Sequence, residues 1–153
     1  GARRSGTENT PGIAGLKQAI GEMRALPDLA QRLTEKKRRM AQLFLDAAPG
    51  ALVNGPAVDE GAPHILNLSF PGVGGEVLLH ALEGEGVYAS TGAACSSKKR
   101  VVSAVLIAMG LAADRAGCAL RFSLSPHTTD QEIEYAAGVL RRQYALLRRY
   151  GRR

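Results

Sequence analysis

The stretch Cys118-Ala119-Leu120-Arg121-Phe122-Ser123-Leu124 alternates between apolar and polar side chains. Residues two apart share one face of a β-strand, so the pattern predicts a half-buried strand with Arg121 and Ser123 facing outward. Its inward residues are Cys118, Leu120, Phe122 and Leu124. The stretch Ile65-Leu66-Asn67-Leu68-Ser69-Phe70 alternates in the same way and predicts a second strand. Two such strands need another layer to cover their apolar faces.

Segments with helical periodicity lie on either side of these strands, and we expect the helices they form to provide that layer. Apolar residues recur at spacings of three and four from Ile13 toward Leu26 and from Leu29 to Ala47. A capping box formed by Thr129 and Glu132 indicates the start of a last helix. Shorter segments predict strands at Leu52-Val53 and Val87-Tyr88-Ala89 and helices at Val77–Leu82 and Val101–Met109. This order predicts an α/β sandwich, with helices packed on a small mixed or antiparallel sheet.

Length and composition are those of one globular domain. The chain has 153 residues, of which 45% are hydrophobic and 22% charged. Its longest apolar run, Ala104 to Met109, is far shorter than the roughly 20 residues that span a bilayer, so we expect no membrane segment. Two cysteines are too few for a disulfide scaffold, which favours a reducing cytoplasmic compartment. Neither cysteine lies at zinc-ligand spacing, so we expect no metal site.

The charge is unevenly distributed. Twenty basic and 14 acidic residues give a net charge of +6. One cluster is Lys36–Arg39, and six arginines follow Glu134, the last acidic residue. Such clusters can contact nucleic acid or an acidic protein. A solvated helix face, or cations near a helix C-terminus, is the favoured interpretation. Aromatic residues make up only 5% of the chain, which argues against a stacking platform for nucleic acid.

The two cysteines differ in their surroundings. Cys118 lies on the inward face of the predicted strand, where a thiol behaves as a small apolar group. Cys95 lies in a loop of small and polar residues, followed by Lys98, Lys99 and Arg100. Nearby cations favour the thiolate, which is the nucleophilic form. From the residues alone, a nucleophile and an incidental exposed cysteine remain equally good interpretations of Cys95.

Arg121 is the second candidate, because a guanidinium held on a strand can bind a carboxylate in a bidentate manner. A surface arginine paired with a neighbouring acidic residue is an equally good interpretation. Ser5-Gly6-Thr7 is a weak phosphate-binding pattern that lacks the spacing of a P-loop. The three histidines, His64, His80 and His127, form no triad or metal pair at any recognisable spacing.

Four motifs occur in an order typical of one family. They are Arg4-Ser5-Gly6-Thr7-Glu8-Asn9, then Ile65–Phe70, then Ser90-Thr91-Gly92-Ala93-Ala94-Cys95-Ser96-Ser97, then Leu120-Arg121-Phe122-Ser123-Leu124 with Thr128-Thr129. Together they resemble the C-terminal part of the NifS-like cysteine desulfurases, which are pyridoxal 5'-phosphate (PLP) enzymes of the class V aminotransferase group. The motifs extend over essentially the whole chain, and the cysteine loop is the most specific of them.

The resemblance implies the C-terminal small domain of a PLP fold-type I enzyme. Residues 1–27 are then an interdomain loop and linker helix, and residues 28–153 are the small α/β domain. Members of the family act as homodimers that convert L-cysteine to L-alanine. They hold the sulfur as a persulfide and transfer it to a sulfur-acceptor or scaffold protein, as in iron–sulfur cluster assembly.

The same resemblance implies a role for three residues. Cys95 carries the persulfide on a loop, Ser90–Lys99, that is similar to the extended mobile loop of one branch of the family. Arg121 binds the substrate carboxylate. Thr7 contacts the PLP phosphate bound in the partner subunit.

PLP needs a lysine for its Schiff base. The family carries that lysine in a Ser-x-His-Lys segment, and none of the three histidines here is followed by lysine. The chain also begins within a family motif, so we expect a fragment that is inactive alone. Two alternatives remain open: a related class V enzyme, such as a selenocysteine lyase or an aminotransferase, and a basic protein-interaction module.

We predict that Cys95 is alkylated much faster than Cys118, because the reaction needs an accessible thiolate. A time course with iodoacetamide, followed by peptide mass spectrometry, measures both rates in one sample. Each cysteine is thus the control for the other, and equal rates would contradict the prediction.

Overall fold

Three short strands form one antiparallel sheet in this computed structural model, which describes residues 8–91 and 102–150. They are β1 (Leu52–Val53), β2 (Ile65–Ser69) and β3 (Ala119–Ser123), in the order β1-β2-β3. In the β2–β3 register, Leu66 lies opposite Phe122 and Asn67 lies opposite Arg121. The predicted α/β sandwich is confirmed, and its sheet is antiparallel.

The helices of the described ranges are α1 (Thr10–Ala25), α2 (Leu29–Ala47), α3 (Gly75–Glu83), α4 (Ala104–Ala108), α5 (Ala113–Gly117) and α6 (Asp130–Tyr150). All except α1 contribute residues to the clusters that cover the sheet. The bounds of α1 and α2 agree with the apolar periodicity. None of these described helices is both long and apolar enough to cross a membrane.

The main core lies between one face of the sheet and α2, α3 and α6. Leu66, Leu68 and Leu120 are almost completely buried there. Phe122 makes an edge-to-face contact with Phe44 of α2, with ring centroids 4.8 Å apart. Such aromatic pairs add roughly 0.5–1.5 kcal/mol to the free energy of burial. As the alternation predicts, one face of β3 is therefore apolar and lies in the core.

The basic cluster Lys36–Arg39 is only partly the solvated helix face of the favoured interpretation, because Arg38 and Arg39 are exposed whereas Lys36 and Lys37 are not. Lys37 is only 5% exposed, and its Nζ donates hydrogen bonds to the carbonyls of Glu60 (2.9 Å) and Ala62 (3.2 Å). Arg38 forms an ion pair with the same loop, and its neighbours Lys36 and Arg39 contact the start of α6. These cations therefore cross-link α2 to two other segments of the chain.

Other short elements differ from the sequence prediction. The segment Val87-Tyr88-Ala89 is not a strand, because only the following residue, Ser90, pairs with β3. Helix α5 was not predicted, and Cys118 ends that helix rather than beginning β3. Helix α4 begins at Ala104, whereas position 101 lies outside the described residues. Ser69 faces away from the main core and is nevertheless fully buried, because α5 covers it.

Helix α1 differs from the other long helices in having no buried residue. Its apolar residues Ile13, Leu16, Ile20 and Met23 recur at spacings of three and four, and all of them are exposed. The described chain therefore leaves one apolar face of this helix uncovered.

The capping box at the start of α6 is confirmed. The backbone N–H of Thr129 donates to Glu132 Oε2 (2.7 Å), and the N–H of Glu132 donates to Thr129 Oγ1 (3.2 Å). The Thr129 hydroxyl donates to the same carboxylate oxygen at 2.9 Å. These backbone and side-chain hydrogen bonds from Thr129 hold the pKa of Glu132 below its ordinary value of 4.5.

We expect Leu140→Ala to lower the free energy of unfolding by about 2–5 kcal/mol, because Leu140 is 1% exposed in the core. The matched control is Leu16→Ala, which replaces a leucine that is 61% exposed on α1 and should change stability by less than about 0.5 kcal/mol. Urea unfolding of the chain measures both values. Equal losses would contradict the assignment of the core.

We expect the stability advantage of the wild type over Glu132→Gln to fall as the solution is acidified. Because the folded-state pKa of Glu132 is lowered, its carboxylate stabilises the folded state fully above the unfolded-state pKa. That contribution is lost as the pH falls through the folded-state pKa. Glutamine keeps a capping oxygen but has no charge, so the difference between the two proteins isolates the carboxylate. Urea unfolding from about pH 7 to about pH 3 tests this, and a constant difference would contradict it.

Candidate active site

Arg121 lies in the middle of β3 on the face opposite the main core, and its side chain is exposed. Its backbone is held on both sides. Asn67 of β2 lies opposite it on one side, and Ser90 pairs with it on the other. The Ser90 N–H donates to the Arg121 carbonyl at 3.0 Å, and the Arg121 N–H donates to the Ser90 carbonyl at 2.7 Å. The guanidinium donates to no described residue, so its hydrogen bonds are available to an external acceptor.

The segment that contains Cys95 lies outside the described residues, but both of its described flanks contact β3. Ser90 pairs with Arg121, and Val102 packs against a small cluster that includes Ala119 of β3. Five residues of chain connect Ser90 to Cys95, a length of at most about 18 Å when fully extended. Through Ser90, the cysteine segment is therefore connected to the strand that carries Arg121.

A polar cluster covers the same face of the sheet next to Arg121, and sequence reasoning did not find it. Arg115 of α5 donates from Nε to Asn54 Oδ1 at 2.9 Å. Asn54 Nδ2 lies 2.7 Å from both Asn67 Oδ1 and Ser69 Oγ. We call Arg115, Asn54, Asn67 and Ser69 the polar cluster. The outward positions of Asn67 and Ser69 in β2 were the only available signal, because the other two residues lie in other elements.

The remaining candidates do not join this site. Cys118 is buried as predicted, and its thiol donates to the Arg115 carbonyl at 3.2 Å. His64, His80 and His127 are exposed in separate segments of the chain. The described residues contain no group of acidic, histidine or cysteine side chains that could hold a metal ion. Thr7 lies outside the described residues.

The described lysines do not fit the covalent anchor that PLP requires. Lys17 is exposed on α1, which buries no residue. Lys36 and Lys37 are both occupied by backbone carbonyls. Lys36 and Lys37 also belong to α2, which packs against the face of the sheet opposite Arg121, so the described lysines do not provide that anchor.

A cavity of about 460 Å³ lies elsewhere, between the C-terminal ends of α2 and α6. Its lining includes Asp46, Tyr144 and three arginines, and none of the candidate residues. Two arginines of α6 are engaged within the chain: Arg142 pairs with Glu85 at 3.3 Å, and Arg148 donates to the Pro49 carbonyl at 3.2 Å. These internal contacts reduce the number of cations that this helix offers to an external partner.

Comparison with known proteins agrees with the motif order. The family described as Aminotransferase class-V matches residues 2–136. Cysteine desulfurase IscS of Clostridium botulinum is 36% identical over 140 residues, covering 90% of this chain and 35% of the relative. Putative cysteine desulfurase IscS 1 of Bacillus subtilis is 39% identical over 137 residues, covering 88% and 36%.

A solved structure of a NifS-like protein superposes with a TM-score of 0.79 at 28% sequence identity, covering 94% of this chain and 36% of that protein. The fold predicted from the resemblance is therefore confirmed. The chain spans only about 35% of the length of the curated relatives that it matches.

Proposed function

Because the chain belongs to the class-V aminotransferase family, we propose that it forms the C-terminal part of a cysteine desulfurase. The complete enzyme converts L-cysteine to L-alanine and carries the sulfur as a persulfide on Cys95. The similarity to cysteine desulfurases over about nine-tenths of this chain supports the assignment.

The observation that carries the proposal is the pairing of Ser90 with Arg121. It ties the base of the cysteine segment to the strand of the proposed carboxylate clamp. Arg121 binds the carboxylate of L-cysteine through two parallel hydrogen bonds, which fixes the position of the substrate sulfur. The chain length from Ser90 then allows Cys95 to reach that sulfur.

Cys95 acts as the nucleophile. Its thiolate forms a sulfur–sulfur bond with the substrate sulfur while the carbon–sulfur bond of the substrate breaks. The electron pair of the broken bond stays with the substrate carbon, which gains a proton, and L-alanine leaves. The persulfide on Cys95 then passes its terminal sulfur to an acceptor thiolate, which regenerates the Cys95 thiolate.

We propose the domain division that the resemblance implies. Residues 1–27 form an interdomain loop and linker helix, and residues 28–153 form the small domain. The exposed apolar face of α1 supports this division, because the apolar stripe of a helix normally packs against another surface. That surface belongs to the part of the enzyme outside this chain.

The finer features of the complete enzyme follow from the family. It binds PLP on a lysine outside this chain, so this chain alone is inactive. It acts in the cytoplasm as a homodimer in which Thr7 contacts the PLP phosphate of the partner subunit. Its persulfide passes to an acceptor or scaffold protein of sulfur transfer, in pathways such as iron–sulfur cluster assembly.

In the complete enzyme, we expect Cys95→Ala to abolish persulfide formation without loss of PLP, because the covalent anchor of PLP lies elsewhere. Arg121→Ala should weaken the binding of L-cysteine by about 2–3 kcal/mol, the loss of a charge-assisted contact. Single-turnover sulfide release and the Kd for L-cysteine measure the two effects. Ser123→Ala, on the same face of β3, is the matched control and should change neither.

Turnover of L-cysteine by Cys95→Ala at the parent rate would overturn the role of Cys95. A lyase that needs no persulfide would then be the better assignment, and competition between L-cysteine and L-selenocysteine would identify it. An unchanged Kd for L-cysteine in Arg121→Ala would overturn the carboxylate clamp.

A further inference from the structure

We propose that Asn67 is a second binding residue for the substrate carboxylate, with its Nδ2 group presented beside the guanidinium of Arg121. Arg115 and Asn54 act as positioning residues that fix the orientation of the Asn67 amide. The inference rests on the proposed function of Arg121, and it adds a neutral donor to that clamp.

The orientation of the Asn54 amide follows from its two ends. Arg115 Nε can only donate, so the atom of Asn54 that faces it must be the oxygen. At the other end, Ser69 Oγ donates its single hydrogen to the Arg115 carbonyl at 2.8 Å. Ser69 Oγ must therefore accept from Asn54, which requires the Asn54 nitrogen. Both ends give the same assignment.

The orientation of Asn67 follows from that of Asn54. Asn54 Nδ2 lies 2.7 Å from the side chain of Asn67 and can only donate, so the atom it meets is Asn67 Oδ1. The remaining group of the amide is Nδ2, a donor with no hydrogen-bond partner among the described residues. No fully buried side-chain nitrogen of the described residues lacks a partner, so this unpartnered donor of the half-buried Asn67 is at least partly accessible to a ligand.

Asn67 and Arg121 are direct cross-strand neighbours on the face opposite the core. Side chains in such a pair have Cβ atoms about 4.5–5.5 Å apart. Neither the Asn67 amide nitrogen nor the guanidinium can accept a hydrogen bond from the other. Two adjacent donors without a shared acceptor fit a ligand with two acceptor oxygens, and a carboxylate is such a ligand.

Hydrogen bonds within the chain hold this arrangement in the absence of a ligand. Arg115 Nη2 donates to the Val53 carbonyl at 2.7 Å, which ties α5 to β1. The Asn54 N–H donates to the Asn67 carbonyl at 2.9 Å, so the backbone of Asn67 is held as well. A donor that is already oriented loses little conformational entropy on binding.

The test uses the complete enzyme. Asn67→Ala should raise the KM for L-cysteine about three- to tenfold and leave kcat within about twofold, as expected for the loss of one neutral hydrogen bond to bound substrate. Asn67→Asp should raise KM further, because its carboxylate competes with the substrate for Arg121. Ser123→Ala, on the same face of β3, is the control and should leave KM unchanged.

A second measurement separates carboxylate binding from a structural effect. By titration calorimetry, Asn67→Ala should bind L-alanine about three- to tenfold more weakly and bind L-alaninamide, which lacks the carboxylate, as the parent does. A loss of equal size for both ligands would overturn the proposal. Asn67→Ser, which can still accept from Asn54 and is too short to reach the ligand, should show the same selective loss.

The outcomes also separate this inference from the function on which it rests. If Arg121→Ala weakens the binding of L-alanine while Asn67→Ala and Asn67→Ser do not, the role of Asn67 is overturned and the clamp stands. If none of these variants weakens it, both the role of Asn67 and the clamp are overturned.

Discussion

The antiparallel pairing of β2 with β3 is the constraint on which the other features of the domain depend. It places Leu66, Leu68, Leu120 and Phe122 on one face, where α2, α3 and α6 bury them. Because side chains alternate, the same pairing places Asn67 and Arg121 side by side on the opposite face. A shift of one residue in register would exchange the two faces, so the core and the candidate site are specified together.

The face opposite the core is built differently at its two ends. Near Ala119, a small apolar cluster with Leu106 and Ala116 holds α4 and α5 against the strand. Toward Asn54 and Val53, hydrogen bonds from Arg115, rather than apolar contacts, hold α5 against the sheet. No fully buried side-chain nitrogen or oxygen of the described residues lacks a partner, so burial of the polar cluster carries little desolvation penalty. The exposed guanidinium of Arg121 lies next to this ordered surface.

The sequence predicted the elements that carry a long periodic pattern and missed those that do not. Alternation in β3 predicted its buried residues, because side chains two apart share one face of a strand. Helix α5 has five residues, too few for a periodic pattern. The pairing of Ser90 and the bond between Asn54 and Arg115 join residues far apart in the chain, so local patterns could not reveal them. Arg121 was placed on the correct face, whereas Cys95 and Thr7 lie outside the described residues.

Because α1 buries no residue, its unfolding need not be cooperative with that of the core. A helix of 16 residues is only marginally stable in water by its own hydrogen bonds, and α1 gains no burial from the sheet. Its opening is therefore uncoupled from that of the core, and its amide hydrogens should exchange with solvent at lower free energies than those of β2. In a complete enzyme, the surface that covers α1 would determine when this helix becomes part of the same cooperative unit.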